Sequence, residues 1–231
     1  MTRYFFTFLL FVYIPFANAN IVIDGTRVIF PSDRKEVSVR VTNSGDMPSL
    51  TQAWVDGGTI QNNTGKDMAP FVVLPPIIRV EPGKGQTYRL VFSGASLPQD
   101  RESLYWFNML DIPPEPKNSQ GSNYLQLSIR SRIKLFYRPI TLKGNVSEAA
   151  KSLTWEFHND NNTLFVNNPS PWYITIDSIT INGNKQPAGM VAPFSTMSIN
   201  NKEHTLKAMP GKFSFTTIND YGAIVIHNYP Q

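Results

Sequence analysis

The sequence has 231 residues, of which 41% are hydrophobic and 16% are charged. It contains no cysteine, which excludes disulfide bonds, thiol catalysis and cysteine-ligated zinc. The formal net charge of +4 is too small to indicate a basic arm for nucleic acid, so we expect no nucleic-acid partner.

Residues 1–19 have the pattern of a secretory signal peptide. Arg3 precedes an apolar run over residues 4–16, and Ala17 and Ala19 form the small-residue pattern at which signal peptidase cleaves. The apolar run is about 13 residues long, whereas a membrane-spanning helix needs roughly 20. We therefore expect cleavage after Ala19, export, and a mature protein without stable membrane insertion.

The rest of the sequence predicts short β-strands from end to end. Polar and apolar residues alternate within segments that Gly, Pro, Asn and Asp separate at a spacing of roughly 10 residues. Strands are predicted at residues 21–23, 36–41, 50–55, 71–74, 86–92, 104–109, 124–137, 154–157, 163–166, 173–176, 178–181, 195–199, 213–218 and 223–226. Residues 148–151 form at most one helical turn. An all-β fold of the sandwich type is expected.

The predicted strand at residues 124–137 is unusually long, at 14 residues. One of its faces carries Leu125, Leu127 and Ile129, and the other carries Arg130, Arg132 and Lys134. The pattern leaves two interpretations of the apolar row open. The row faces the local core, or it is exposed at a sheet edge, where it would serve β-augmentation of a partner. The alternating basic residues are typical of a solvated face.

A domain boundary is predicted shortly after this strand, because Pro139 cannot continue the ladder. We assign residues 20–139 to an N-terminal domain, 140–145 to a linker and 146–231 to a C-terminal domain. Asn182 and Gly183 predict a tight hairpin turn in the second domain.

Motifs of known chemistry are missing from the sequence. His158, His204 and His227 have no metal-ligand spacing, and neither a nucleophile elbow nor a phosphate-binding loop is present. We therefore expect a protein that is not an enzyme, with no catalytic residue, no metal and no cofactor. A carboxylate pair of the kind that glycoside hydrolases use is left open by the sequence.

Nine short segments, in order along the chain, resemble the PapD-like periplasmic pilus chaperones of the chaperone–usher pathway. They are residues 26–30, 53–55, 74–76 with 79–83, 98–103, 105–108, 111–114, 133–139, 167–173 and 218–222. The loop at residues 113–123 and the absence of cysteine are similar to the branch of this family with a short loop before the donor strand.

The resemblance implies two immunoglobulin-like β-sandwich domains set at an angle, with a cleft between them. In that cleft Arg27 and Lys134 would anchor the C-terminal carboxylate of a pilus subunit. Leu125, Leu127 and Ile129 would be the donor strand that completes the subunit's open fold. A buried charged cluster between the domains is implied at Arg89, Glu102 and Asp220.

The function implied by the resemblance is that of a periplasmic chaperone. It would bind pilus subunits, including the adhesin, by donor-strand complementation, cap their polymerising surface and deliver them to an outer-membrane usher. The sequence leaves open whether the free protein covers its own edge as a homodimer. The alternatives are an extracellular immunoglobulin-like adhesion or structural module, which would not need the cation pair, and a β-sandwich hydrolase.

Overall fold

The structure is a computed structural model that describes residues 21–58, 69–115, 124–160, 162–199 and 208–230. The predicted signal peptide lies outside the described residues. The N-terminal half contains β1 (Ile21–Ile23), β2 (Arg27–Pro31), β3 (Glu36–Asn43), β4 (Ser49–Asp56), β5 (Phe71–Leu74), β6 (Ile77–Val80), β7 (Gly85–Phe92), β8 (Ser103–Ile112) and β9 (Ile129–Arg138). The C-terminal half contains α1 (Val146–Lys151), β10 (Thr154–His158), β11 (Thr163–Asn168), β12 (Ile174–Ile181), β13 (Asn184–Val191), β14 (Ser195–Ile199), β15 (Phe213–Ile218) and β16 (Ile224–Tyr229).

The N-terminal half is a sandwich of two sheets. One sheet has the strand order β1-β3-β7-β5, and the other has the order β2-β9-β8-β4-β6. Alternate residues of each strand point between the sheets and build one core, which includes Phe30, Val41, Tyr88, Leu90, Phe107 and Leu135. The predicted all-β sandwich is confirmed for this half.

The first two strands belong to different sheets. Strand β1 pairs with β3 in one sheet, and β2 pairs in parallel with β9 in the other. Gly25, between them, has φ +124°, a conformation that side chains other than hydrogen rarely allow. This crossover places the beginning of β2 directly beside β9.

The C-terminal half is a second sandwich, with sheets of order β10-β11-β14 and β13-β12-β15-β16. Its core includes Trp155, Val166, Trp172, Ile174, Ile179 and Phe215. The helix α1 is one short segment whose first turn is capped, because the Asn145 side chain accepts a hydrogen bond from the Glu148 backbone N–H. Within the described residues no helix is long and apolar enough to cross a membrane.

Two features of the second sandwich differ from the sequence prediction. Residues 173–176 and 178–181 belong to one strand, β12, whose pairing with β15 shifts between Ile176 and Ser178. Strand β13 was not predicted, because Pro187 and Gly189 break its pattern. It lies at a sheet edge, where a proline is tolerated. The predicted Asn182–Gly183 turn joins β12 to β13, and both of its residues have positive φ.

Candidate functional site

Arg27 and Lys134 lie side by side where the two domains meet. The parallel pairing of β2 with β9 places the two residues directly opposite each other. Each then reaches the C-terminal domain: an Arg27 Nη1 hydrogen bond to the Ile218 carbonyl measures 3.0 Å, and a Lys134 Nζ hydrogen bond to Thr175 Oγ1 measures 3.2 Å. Arg27 and Lys134 are 107 positions apart in the sequence, and the register of β2 against β9 brings them together.

Arg27 and Lys134 repel each other in a partly buried site. Burial, and then the neighbouring charge of Arg27, lowers the pKa of Lys134 from 10.5 to about 8. Burial also lowers the pKa of Arg27, although the charges of Asp220 and Glu102 oppose that effect. No ion pair joins either cation to a carboxylate in the part of the chain that is described. Two adjacent, partly buried cations can therefore receive a carboxylate through charge-assisted hydrogen bonds.

A charged cluster holds the two domains together beside this pair, but its arginine is Arg138. The Arg138 guanidinium donates to both oxygens of Asp220, at 2.7 and 2.9 Å, and its Nε donates to Glu102 Oε1 at 2.8 Å. The second oxygen of Glu102 accepts from the Tyr173 backbone N–H at 2.8 Å. The guanidinium also stacks on Trp172, 4.7 Å from the ring centroid. Glu102, Arg138 and Asp220 thus each have a hydrogen-bond partner on the other side of the domain junction.

The assignment of Arg89 to this cluster was wrong. Arg89 lies on β7, in the other sheet of the N-terminal sandwich, and pairs with the exposed Glu36 at 3.1 Å. Glu102 and Asp220 do come together as expected. The signal that could have identified Arg138 was its place next to Pro139, at the end of the segment that resembles the chaperone family most closely.

Burial dominates the pKa shift of Glu102, whereas hydrogen bonds and neighbouring charges dominate that of Arg138. The Glu102 side chain is almost completely inaccessible, and burial raises its pKa although Arg138 and the Tyr173 backbone N–H oppose the rise. Burial alone would lower the pKa of Arg138, but the hydrogen bonds and charges of Asp220 and Glu102 outweigh it and raise the pKa. The charge of the buried Glu102 carboxylate is thus supported by Arg138.

The predicted long strand is shorter than expected. Strand β9 begins at Ile129, so Leu125 and Leu127 precede it and belong to no strand. The reason lies in its neighbour, because β8 ends at Ile112 and Pro113 has no N–H with which to extend the ladder. The exposed fractions of Leu125, Leu127 and Ile129 are 82%, 66% and 62%. The apolar row is therefore exposed, which rules out the interpretation that it faces the local core.

The free edge of β9 is a part of the site that the sequence did not reveal. Strand β8 pairs with β9 from Ile129 to Tyr137, whereas β2 pairs with β9 only from Lys134 onward. Residues 129–133 therefore have no partner on one side among the described strands. A groove of about 430 Å³ runs along this edge, lined by Ile21, Val22, Ile23, Gly25, Thr26, Ser131, Arg132 and Ile133.

The basic residues on the other face of β9 are not simply solvated. Arg132 donates to Asp56 at 2.6 Å, and Arg130 donates to the same carboxylate at 3.1 Å. Arg132 also stacks on Trp106 at 4.4 Å, and Arg130 stacks on Trp54 at 5.0 Å. Both arginines are thus engaged within the protein. Through these contacts they attach the beginning of β9 to β4 and β8.

Two family models match the chain over nearly its whole length. The N-terminal domain of the PapD pili and flagellar-assembly chaperones matches residues 20–143, and the C-terminal domain of the PapD pili assembly chaperones matches residues 148–229. The chain belongs to the PapD family of pilus-assembly chaperones. The resemblance drawn from the sequence is thereby confirmed, and the chaperone interpretation stands above the adhesion-module alternative.

Curated relatives agree with this assignment. The probable fimbrial chaperone YadV of Escherichia coli K12 is 42% identical over 91% of this chain and 89% of the relative. The chaperone protein FimB/FhaD of Bordetella pertussis is 40% identical over 91% of this chain and 87% of the relative.

Solved structures of chaperones have the same fold. The crystal structure of the YadV chaperone matches with a TM-score of 0.76 and 41% identity, over 91% of this chain and 98% of that chain. A structure of the Salmonella enterica SafA pilin in complex with the SafB chaperone matches with a TM-score of 0.78 and 29% identity, over 92% of this chain and 96% of that chain. The immunoglobulin-like, two-domain architecture is therefore established.

Proposed function

We propose that this chaperone binds a pilus subunit by lending it the exposed segment that ends in β9. The observation that carries the proposal is the alternation of Leu125, Leu127 and Ile129, all of which are more than half exposed. In an extended chain these three side chains point to one side, about 7 Å apart. Such a row fits a groove with successive apolar pockets, and each side chain that is buried there contributes about 1.5–3 kcal/mol.

The free edge of β9 supplies the backbone part of the same interaction. The N–H and C=O groups of residues 129–133 on this edge have no strand partner in the described structure. A strand of the subunit that entered the adjoining groove would satisfy them and extend the five-stranded sheet. Side chains would then select the subunit, and the backbone ladder would hold it.

Arg27 and Lys134 would fix the register of the bound subunit. They lie where the unpaired edge of β9 ends and the pairing with β2 begins. A subunit strand that runs along the free edge would thus meet two cations at the point where the groove closes. A C-terminal carboxylate is the group that ends a chain with negative charge, and both cations can donate to it.

The Glu102–Arg138–Asp220 cluster would hold the domains at the angle that this binding requires. Its three side chains connect the residue before β8, the end of β9 and the turn between β15 and β16. The same turn region supplies the Ile218 carbonyl that receives Arg27. The position of the anchoring cation is therefore coupled to the relative position of the domains.

The cellular context follows from the signal-peptide pattern and the family. The mature protein would work in the periplasm, cap the polymerising surface of each subunit and deliver it to an outer-membrane usher. Before a subunit binds, a homodimer that buries the exposed donor residues of both copies would protect them from aggregation. No nucleotide is needed in this scheme, since the next subunit would displace the donor segment by strand exchange.

The test is co-purification of tagged chaperone from the periplasm with pilus subunits of the same organism. Leu127→Glu places a charge in the apolar row, and Lys134→Ala removes one anchor. Val72→Glu and Lys84→Ala are matched controls, since both residues are exposed and lie outside the proposed site. We expect one-to-one complexes with wild type and both controls, and loss of the subunit with both site variants while they remain folded. Equal recovery with all five proteins would refute the donor-strand proposal.

A further inference from the structure

The outer face of one C-terminal sheet leads from the cation pair to an exposed edge. Thr175 on β12, Ile218 on β15 and Ile224 on β16 are directly opposite one another in register, so their side chains form one row across the sheet. The next row consists of Ser178, Thr216 and Ile226. Both rows face away from the core of their own domain.

The exposure of this face increases sharply from β12 to its last strand, β16. On β12 the polar residues of the two rows, Thr175 and Ser178, are buried, and Ser178 bonds to Thr216 at 2.8 Å. On β16 the corresponding positions are Ile224 and Ile226, whose exposed fractions are 61% and 71%. We call these two residues the β16 row. Two neighbouring isoleucines at such exposure are a liability unless a partner covers them.

The β16 row also lies on an open edge. Strand β16 pairs with β15 on one side, and no described strand pairs with its other side. Tyr221, on the turn that leads into β16, is 95% exposed. Gly222 on this turn packs closely against Thr26, the residue before the anchoring Arg27.

The β16 row is continuous with the site that receives the subunit. Lys134 donates to the Thr175 side chain, and Arg27 donates to the Ile218 carbonyl, so both cations contact the row that ends at Ile224. Two strand spacings separate Thr175 from Ile224, a distance of about 10 Å. A folded subunit whose last residue sat on these cations would extend over that distance.

We propose that Ile224 and Ile226 form a second apolar contact for the bound pilus subunit, on the C-terminal domain next to the subunit's anchored carboxylate. The inference rests on the proposed function, because the cation pair determines which partner comes this close. The subunit is favoured over a second copy of the chaperone or the usher because only a carboxylate-anchored chain is tethered at the start of the row. The donor segment would then hold one side of the subunit and the β16 row the other.

The experiment compares the stability of preformed complexes. Wild-type chaperone, the double variant Ile224→Thr/Ile226→Thr, the control Val72→Thr and the donor variant Leu127→Glu are each co-expressed with the same subunit. Threonine keeps the strand preference while removing most of the apolar surface. Purified complexes are mixed with excess labelled wild-type chaperone, and the rate at which the subunit changes partner is measured. Thermal unfolding of each free chaperone shows whether it is folded.

We expect the double variant to release its subunit about tenfold faster than wild type and Val72→Thr, while Leu127→Glu yields no complex. If the double variant released its subunit at the wild-type rate and Leu127→Glu formed no complex, the proposed role of the β16 row would be overturned and the proposed function would stand. Full complex formation by Leu127→Glu would overturn the proposed function itself. A double variant that changes only self-association, or only assembly of pili at the usher, would assign the row to that other partner and overturn the proposal.

Discussion

Arg138 and Asp220, 82 positions apart in sequence, form a two-pronged ion pair that joins the domains. Its two hydrogen bonds, at 2.7 and 2.9 Å, match the fork of the guanidinium to the two carboxylate oxygens. The same guanidinium satisfies the buried Glu102. One side chain thereby bridges two carboxylates at the junction, and no lysine could reproduce this geometry.

Loss of Arg138 should destabilise the protein strongly. Arg138→Ala leaves the Glu102 carboxylate buried without a counter-charge, which costs about 3–5 kcal/mol in the free energy of unfolding. The control is Arg89→Ala, which breaks an exposed pair and should cost less than about 1 kcal/mol. Denaturant unfolding of both variants measures the difference. Equal losses would contradict the assignment of Arg138 to the cluster.

The loss in Arg138→Ala should also depend on pH. Burial already raises the pKa of Glu102 in the folded protein, and removal of Arg138 raises it further. A carboxyl whose folded pKa exceeds its unfolded value destabilises the protein as pH rises above about 4.3. Arg138→Ala should therefore be closer to wild type at pH 5 than at pH 8, which unfolding at the two pH values would show.

Asp56 should matter for the stability of β9. Its carboxylate accepts hydrogen bonds from Arg130, Arg132 and Asn108, and both arginines stack on tryptophan rings. Asp56→Ala leaves the Arg132 guanidinium without its acceptor and removes one of two acceptors from Arg130 and from Asn108, which should cost about 1–3 kcal/mol. Asp24→Ala removes an exposed carboxylate 3.5 Å from Arg40 and should cost well under 1 kcal/mol. Similar unfolding curves for the two variants would argue against a role of Asp56 in stabilising the beginning of β9.

His227 should make the C-terminal domain sensitive to acid. Burial, and then the charge of Lys151, lowers its pKa below the ordinary value of 6.5, and its Nε2 lies 2.9 Å from Thr217 Oγ1. A histidine with a lowered folded pKa binds protons more readily in the unfolded chain, so stability falls as pH drops below about 6.5. We expect His227→Gln to reduce the loss of stability between pH 7 and pH 5. The exposed Val72→Thr, which changes no titratable group, should retain the wild-type pH dependence.

Features that depend on the local residue pattern could be predicted from the sequence, whereas features that depend on contacts between distant strands could not. Alternation predicted most strands, because each strand buries one face in a sandwich. The start of β9 was not predictable from its own residues, since it depends on where β8 stops at Pro113. The choice of Arg138 over Arg89 likewise depends on which sheet each strand joins. The β16 row became visible only when β12, β15 and β16 were placed in register.

Subunit binding should weaken as pH rises through about 8. The pKa of Lys134 is lowered to about 8 in the free chaperone, by burial and then by Arg27, so the charged form is lost above that pH. A bound carboxylate favours the charged form, and binding therefore takes up a proton in alkaline solution. With one proton coupled, affinity at pH 9 should be about tenfold lower than at pH 7.

The comparison that isolates this effect uses Lys134→Gln. This variant should bind the subunit more weakly at pH 7 and lose the decline between pH 7 and pH 9, whereas Lys84→Ala should keep it. In the free chaperone the sign is reversed: because the folded pKa of Lys134 lies below 10.5, its unfavourable charge is relieved as pH rises above about 8, and this residue's contribution to stability increases. Subunit-exchange rates and unfolding free energies at both pH values measure the two trends. A wild-type affinity that stays constant across this range would contradict the role of Lys134 as a carboxylate anchor.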